Sequence, residues 1–264
     1  MKFLDALFSF NAVRKALWQA WYPYLTKKLQ HEDVVFLNYA YEEEPSMGIP
    51  LDPADAPNRA CAQLYHRTAG QIDLAGKNVL EVSCGHGGGA SYITRTFKPA
   101  SYTGLDLNPK GIAFCQKRYP IDGLKFIQGD AQALPFADAH FDALVNVEAS
   151  HCYPEFPKFL DEVHRVLKPS GHFLYADFRF AERYDEWDAA IAASPLKQLA
   201  YADISQEVLR GMDINSERSV ALVEQLLPSF FHQVGKDFAG VQGSRIYEAL
   251  KTGNLQYRCY CLEK

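Results

Sequence analysis

The sequence predicts a doubly wound α/β fold, a mostly parallel sheet with helices on both faces. From Lys77 onward, short β-rich runs alternate with helix-compatible segments, the texture that builds parallel sheets. A glycine-dense turn, Gly85 to Gly89, directly follows the first of these runs. In such sheets a ligand binds outside the carboxyl ends of the strands, at the switch point.

Residues 1–75 read as an N-terminal helical cap. Phe3, Leu4, Leu7, Phe8, Val13, Leu17, Trp18 and Trp21 recur at helical spacing, an apolar face that must pack against the domain or a partner subunit. A homodimer is therefore plausible. Glu42 to Asn58 carries four prolines (Pro45, Pro50, Pro53, Pro57) and reads as irregular. Helical texture resumes over Arg59 to Gly70, with Tyr65 and His66 on it. The domain proper spans 76–264. Its first five strands are expected at Asn78–Ser83, Ser101–Leu107, Leu124–Gly129, Phe141–Val147 and His172–Ala176. Pro154–Leu167 is an amphipathic helix before the fifth. Residues 180–228 read as a helical insert, a lid over the sheet edge, and late strands are expected near Phe238–Val241 and Leu255–Leu262.

Composition narrows the function classes. The chain has 264 residues, 48% of them hydrophobic and 22% charged, which suits one large soluble α/β domain. A formal charge of -5 argues against a nucleic-acid partner, which calls for a basic face. Six scattered cysteines in a chain of this size predict reduced thiols and a cytoplasmic setting. Neither the cysteines nor the eight histidines show metal-ligand spacing, so no metal is expected. No run reaches the ~20 apolar residues of a membrane-spanning helix.

The run Glu81-Val82-Ser83-Cys84-Gly85-His86-Gly87-Gly88-Gly89-Ala90 is the chemically informative one. Glycines permit a sharp turn and a close approach of ligand to backbone. Asp106 closes the second strand, followed by Leu107, where a carboxylate can accept hydrogen bonds from both hydroxyls of a ribose. By itself this fits a nicotinamide dinucleotide site equally well, an acid about 20 residues after the loop being common to both. Three further features shift the reading. Glu81 lies at the end of the first strand, where it can stabilise a cationic methionine moiety. Asp130, with Ala131 and Gln132, follows the third strand and suits an adenine amino group. Phe141-Asp142 opens the fourth strand, and Val166-Leu167-Lys168-Pro169-x-Gly171 precedes the fifth.

That ordered set, over about residues 75–180, resembles the class I methyltransferases. The resemblance implies a Rossmann-like seven-stranded sheet with the last strand antiparallel, and S-adenosylmethionine as cofactor. Tyr65, Glu81, Ser83, Cys84, Gly85, Gly87, Asp106, Leu107, Asp130, Ala131, Gln132 and Glu148 are the cofactor-site candidates. Ser83 stands where many members have glycine. WYPYLTKKL, YAYEEEP, LYHRTA, EVSCGHGGGASY, TGLDLNP, EASHCYP and GVQG are similar to the phthiotriolone/phenolphthiotriolone dimycocerosate methyltransferases. This second resemblance covers nearly the whole chain and implies methylation of a hydroxyl on a large, apolar, lipid-like small-molecule acceptor.

Transfer of a methyl from a sulfonium depends on alignment, and an alcohol is a poor nucleophile at neutral pH, so a positioned base helps. His151 lies just past the fourth strand and Asp177 ends the fifth, which should lie beside it. His151 is the candidate base and Asp177 its orienting partner. The alternative is that His151 only lines the pocket. His86 can contact cofactor or acceptor, or bond to backbone. Rival readings are methylation of carbon or nitrogen, a nicotinamide-dependent reductase using the Tyr247-x-x-x-Lys251 pair, and a non-catalytic cofactor-binding scaffold.

Overall fold

The computed structural model describes residues 34–53, 55–229 and 232–264. The N-terminal apolar stripe and the first 33 residues of the expected helical cap lie outside the described residues. In chain order the elements are α1 (Arg59–Ala69), β1 (Asn78–Val82), α2 (Gly88–Phe97), β2 (Ser101–Asp106), α3 (Pro109–Arg118), β3 (Leu124–Gln128) and β4 (Phe141–Val147). There follow α4 (Phe156–Val166), β5 (Leu167–Phe180), α5 (Tyr184–Ala193), β6 (Lys197–Asp203), α6 (Ser205–Leu226), α7 (His232–Phe238), α8 (Arg245–Lys251) and β7 (Leu255–Glu263).

The strands form one seven-stranded sheet in the order β3-β2-β1-β4-β5-β7-β6. β1 pairs in parallel with both β2 and β4, so the chain reverses its winding there and opens a crevice at the carboxyl edge. β7 runs antiparallel to both of its neighbours. Alternate side chains of each strand feed two cores. Val79, Val145 and Leu174 pack on one face beside Leu64 of α1 and Ile93 of α2. Leu80, Leu144 and Phe173 pack on the other against Phe159 of α4 and Trp187 of α5. β7 follows the same period, with Cys259 and Cys261 in the first core and Tyr260 and Leu262 in the second. All six cysteines are free thiols.

Two expectations are corrected. The stretch 180–228 is not helical throughout, because β6 interrupts it. β6 is an edge strand exposed along nearly its whole length, Leu199 and Tyr201 included. It therefore lacks the apolar alternation that betrays a half-buried strand. Phe238–Val241 is not a strand either; Phe238 ends α7, and Gly240 turns the chain at a φ of 60°. There Val241, buried on an irregular segment, imitates a strand residue.

An extended strap, residues 34–41, crosses the glycine loop. Gly88 N–H donates to the Val35 carbonyl at 3.1 Å, and the His86 imidazole bonds the Val34 carbonyl at 2.8 Å. At the other end, Tyr41 N–H donates to the Ala60 carbonyl at the start of α1. These bonds satisfy backbone groups of an irregular segment that is partly buried.

Candidate active site

At the carboxyl edge of β1, β2 and β4 lies a cavity of about 450 Å³, within the range that takes a cofactor-sized molecule. Of the cofactor-site candidates, Tyr65, Ser83, Cys84, Gly85, Asp106, Leu107, Asp130, Ala131, Gln132 and Glu148 line it. Glu81 and Gly87 do not. Gly87, at φ 75°, makes the turn that starts α2, and its N–H donates to the Cys84 carbonyl. Glu81 is buried behind the wall, where it accepts from the Tyr65 hydroxyl at 3.0 Å and the Tyr102 hydroxyl at 2.9 Å. Burial raises its carboxyl to about 7, against the pull of those two hydrogen bonds.

Ser83 adopts a φ of 63°, the left-handed region that favours glycine. Its hydroxyl is 2.6 Å from that of Tyr153, which in turn accepts from Asn146 Nδ2 at 2.9 Å. Asp106 accepts from Gly85 N–H at 2.9 Å and Asn108 N–H at 2.8 Å. Burial raises its carboxyl pKa while those backbone donors lower it. Asp130 accepts from Gln132 N–H at 2.9 Å and so shapes the turn after β3. Leu107 exposes an apolar side chain in the cavity wall, suited to a flat base. His86 lines the cavity but bonds backbone, and burial lowers its pKa.

Glu148 leaves β4 at a φ of 51°. Its carboxylate accepts from Tyr39 N–H of the strap at 2.8 Å and from the Tyr257 hydroxyl of β7 at 3.0 Å. Burial pushes it up to about 8, against the lowering effect of these bonds and of His151.

His151 and Asp177 come together as expected. His151 Nδ1 lies 2.8 Å from Asp177 Oδ1, and His151 N–H donates to Asp177 Oδ2 at 2.9 Å. The buried carboxylate also accepts from the Ser150 hydroxyl at 2.6 Å and Phe178 N–H at 2.8 Å, and pairs with Arg179 Nη1 at 3.2 Å. Burial opposes the charge on Asp177, but His151 and Arg179 hold its carboxyl well below the usual range. Burial likewise opposes a charged imidazole, yet the Cys152 sulfur and the Asp177 carboxylate raise the His151 pKa above the ordinary value. The imidazole stacks on Phe178 with centroids 4.3 Å apart. It sits beside the 450 Å³ cavity, whose wall includes the adjacent Glu148, Ala149 and Cys152.

Several residues at the site escaped the sequence reading: Leu37 and Asn38 of the strap, Tyr153 and Cys152 in the wall, and Arg179 and Tyr257 behind it. Cys152 and Tyr153 stood within a motif singled out beforehand, EASHCYP; the others did not.

A seven-stranded sheet with β7 antiparallel, and an acidic residue closing β2 over a cavity of nucleoside size, has the form of a class I S-adenosylmethionine-dependent methyltransferase, the class that the comparisons show. A family model described as a methyltransferase domain matches residues 80–175. The phthiotriol/phenolphthiotriol dimycocerosates methyltransferase of Mycobacterium tuberculosis is 55% identical over 250 residues, 95% of this chain and 93% of that protein. The fatty-acid O-methyltransferase of Mycolicibacterium smegmatis is 53% identical over 245 residues, 92% of this chain and 88% of that one. Among solved structures, geranyl diphosphate C-methyltransferase from Streptomyces coelicolor, in complex with S-adenosyl-L-homocysteine, superposes with a TM-score of 0.68. That match is 17% identical over 90% of this chain and 91% of the other, a likeness of fold. The chain belongs to the phthiotriol/phenolphthiotriol dimycocerosates methyltransferase family, and its cofactor is S-adenosylmethionine.

Proposed function

We propose that this enzyme methylates a hydroxyl oxygen of an apolar, lipid-like acceptor, with His151 as base and Asp177 as the group that positions it. The names of relatives at 53–55% identity support a lipid acceptor. The observation that carries the mechanism is the His151–Asp177 pair at 2.8 Å beside the cofactor-sized cavity.

When bound, S-adenosylmethionine supplies an electrophilic methyl group on a sulfonium. Asp106 would accept from the ribose hydroxyls; burial raises its pKa, and a buried carboxylate gains from such donors. Asp130 and Leu107 would hold the adenine, and Glu148 would meet the cationic end. Glu81 acts from behind, by holding the Tyr65 ring in the wall. An ionised carboxylate only accepts, so Asp177 assigns the proton of neutral His151 to Nδ1 and leaves the Nε2 lone pair to take the acceptor's proton. The imidazolium so formed is stabilised by the same carboxylate.

The proposed setting is cytoplasmic, without a nucleic-acid partner. No helix among the described residues is long and apolar enough to cross a membrane.

The test is His151→Gln, assayed with saturating acceptor. Turnover should fall about 10²- to 10⁴-fold, with the affinity for adenosylhomocysteine unchanged. Because the His151 pKa is raised, wild-type kcat/KM should climb with pH through neutrality, and the variant should lose that limb. A variant that keeps most of the wild-type turnover removes the base role.

A further inference from the structure

Next to the cofactor cavity lies a second one of about 150 Å³, between the strap and the helices α6 and α7. Its wall is mainly apolar, with Met212, Leu222, Val223 and Leu226 from α6 and Phe238 from α7. A space of this size accepts a benzene-sized body, roughly six carbons. Leu37 and Asn38 belong to the walls of both cavities. A ligand reaching from one to the other must therefore pass them.

The orientation of the Asn38 amide is fixed by its surroundings. Nδ2 donates to the Tyr39 carbonyl at 2.8 Å and the Cys61 carbonyl at 3.0 Å. A flipped amide would set oxygen against two oxygens. Oδ1 therefore faces the other way, buried and with no hydrogen-bond partner in the protein. Buried acceptors are nearly always satisfied, and an orphan is explained where a ligand brings the missing donor.

We propose that, as the acceptor docks, Asn38 Oδ1 accepts a hydrogen bond from its un-ionised hydroxyl, whose single proton turns to His151 Nε2 only for the transfer step, and that the 150 Å³ cavity holds the short apolar segment beside that hydroxyl. The inference deepens the hydroxyl-methyltransferase reading and rests on it. It distinguishes alcohols from fatty acids of the same length. An amide oxygen attracts a hydroxyl proton and repels a carboxylate. The Arg218 guanidinium, which also lines the second cavity, donates to the Pro57 carbonyl and keeps its positive charge, a pull toward the acid that the Asn38 oxygen must outweigh.

The test uses the full chain saturated with adenosylhomocysteine, titrated calorimetrically with decanol, decanoic acid and methyl decyl ether. Wild-type protein should bind decanol at least tenfold more tightly than either of the others. Asn38→Ala should weaken decanol about tenfold, bring it level with the ether, and leave the affinity for adenosylhomocysteine within twofold. Because that change also removes the bonds to Tyr39 and Cys61, Leu222→Trp provides an independent check. It fills the second cavity, leaves Asn38 in place, and should weaken decanol at least fivefold. Tighter binding of decanoic acid, or loss of cofactor-product affinity in Asn38→Ala with decanol unaffected, overturns the assignment. The second of these results would make the donor the ammonium of the cofactor. A parallel transfer assay separates the two levels. Methylation of the acid and not of decanol defeats the hydroxyl reading as well, whereas decanol turnover indifferent to Asn38→Ala defeats only the role of Asn38.

Discussion

Replacing Asp177 with asparagine tests the densest piece of chemistry in the molecule. The wild-type carboxylate receives Ser150, His151 N–H and Arg179 at Oδ2, and His151 Nδ1 and Phe178 N–H at Oδ1. An asparagine offers one acceptor oxygen, so whichever way its amide is turned, at least two donors face an NH₂ group. Arg179, 6% exposed and stacked 4.8 Å from the Trp187 ring centroid, has no access to water that would replace its lost partner. Removing one member of a buried pair costs about 3–5 kcal/mol, a large share of the roughly 5–15 kcal/mol that stabilises a folded domain. At about 2–4 °C per kcal/mol for a chain of this size, Tm should fall by about 6–20 °C. The Asp177 pKa is depressed in the folded state, so its contribution is full above the ordinary carboxylate pKa. The gap between wild type and variant should be widest at about pH 5 to 6, narrow above about 6.5 as the contribution of the raised His151 is lost, and narrow again as pH falls below about 4 toward the depressed folded-state pKa of Asp177. Adding Arg179→Met should recover part of the loss, by at least about 1 kcal/mol in a double-mutant cycle, because it removes the stranded charge. Thermal melts and urea titrations at several pH values provide the assay. A Tm drop under about 3 °C, or strictly additive losses, would show that Arg179 does not depend on Asp177.

Other perturbations probe the cofactor wall. Glu148, pushed up to about 8 from 4.5, binds its proton more tightly folded than unfolded, so its contribution to stability declines as pH rises through that window. Glu148→Gln, which keeps an acceptor for Tyr39 and Tyr257, should therefore gain Tm on wild type between pH 5 and 8.5; a difference independent of pH would count against it. Asp106→Asn should weaken adenosylhomocysteine by about 10- to 100-fold in calorimetry, the effect of losing charge-assisted hydrogen bonds of about 1.5–3 kcal/mol. A Cβ on Gly89 would lie 2.0 Å from the Tyr65 ring. Gly89→Ala should thus displace the ring from Glu81 and cost about 1–3 kcal/mol in urea titration, as overpacked cores do.

The strands β1 and β4 were readable because burial on both faces makes them short apolar runs, and the edge strand β3 because buried Leu124 and Phe126 alternate with exposed Lys125. Asp106 and Asp130 were readable because they end such runs. β6 was not, since an exposed edge strand carries no apolar period. His151 and Asp177 could be paired from strand order alone, β4 beside β5. Arg179 could not, because a cation two residues along a strand reads as solvent-facing until Trp187 and Phe156 cover it from other elements. Asn38 was invisible for a different reason. Its significance lies in an oxygen left unbonded by contacts to Tyr39 and Cys61, and spacing along a chain does not encode a missing contact.

The strap has a thermodynamic corollary. One eight-residue length of backbone, pinned at Val35 by Gly88 and at Tyr39 by Glu148, is a party wall between two compartments. Any shift that admits a guest on one side resizes the room on the other. Methyl donor and methyl recipient should therefore alter one another's dissociation constants by an equal factor, whichever arrives first.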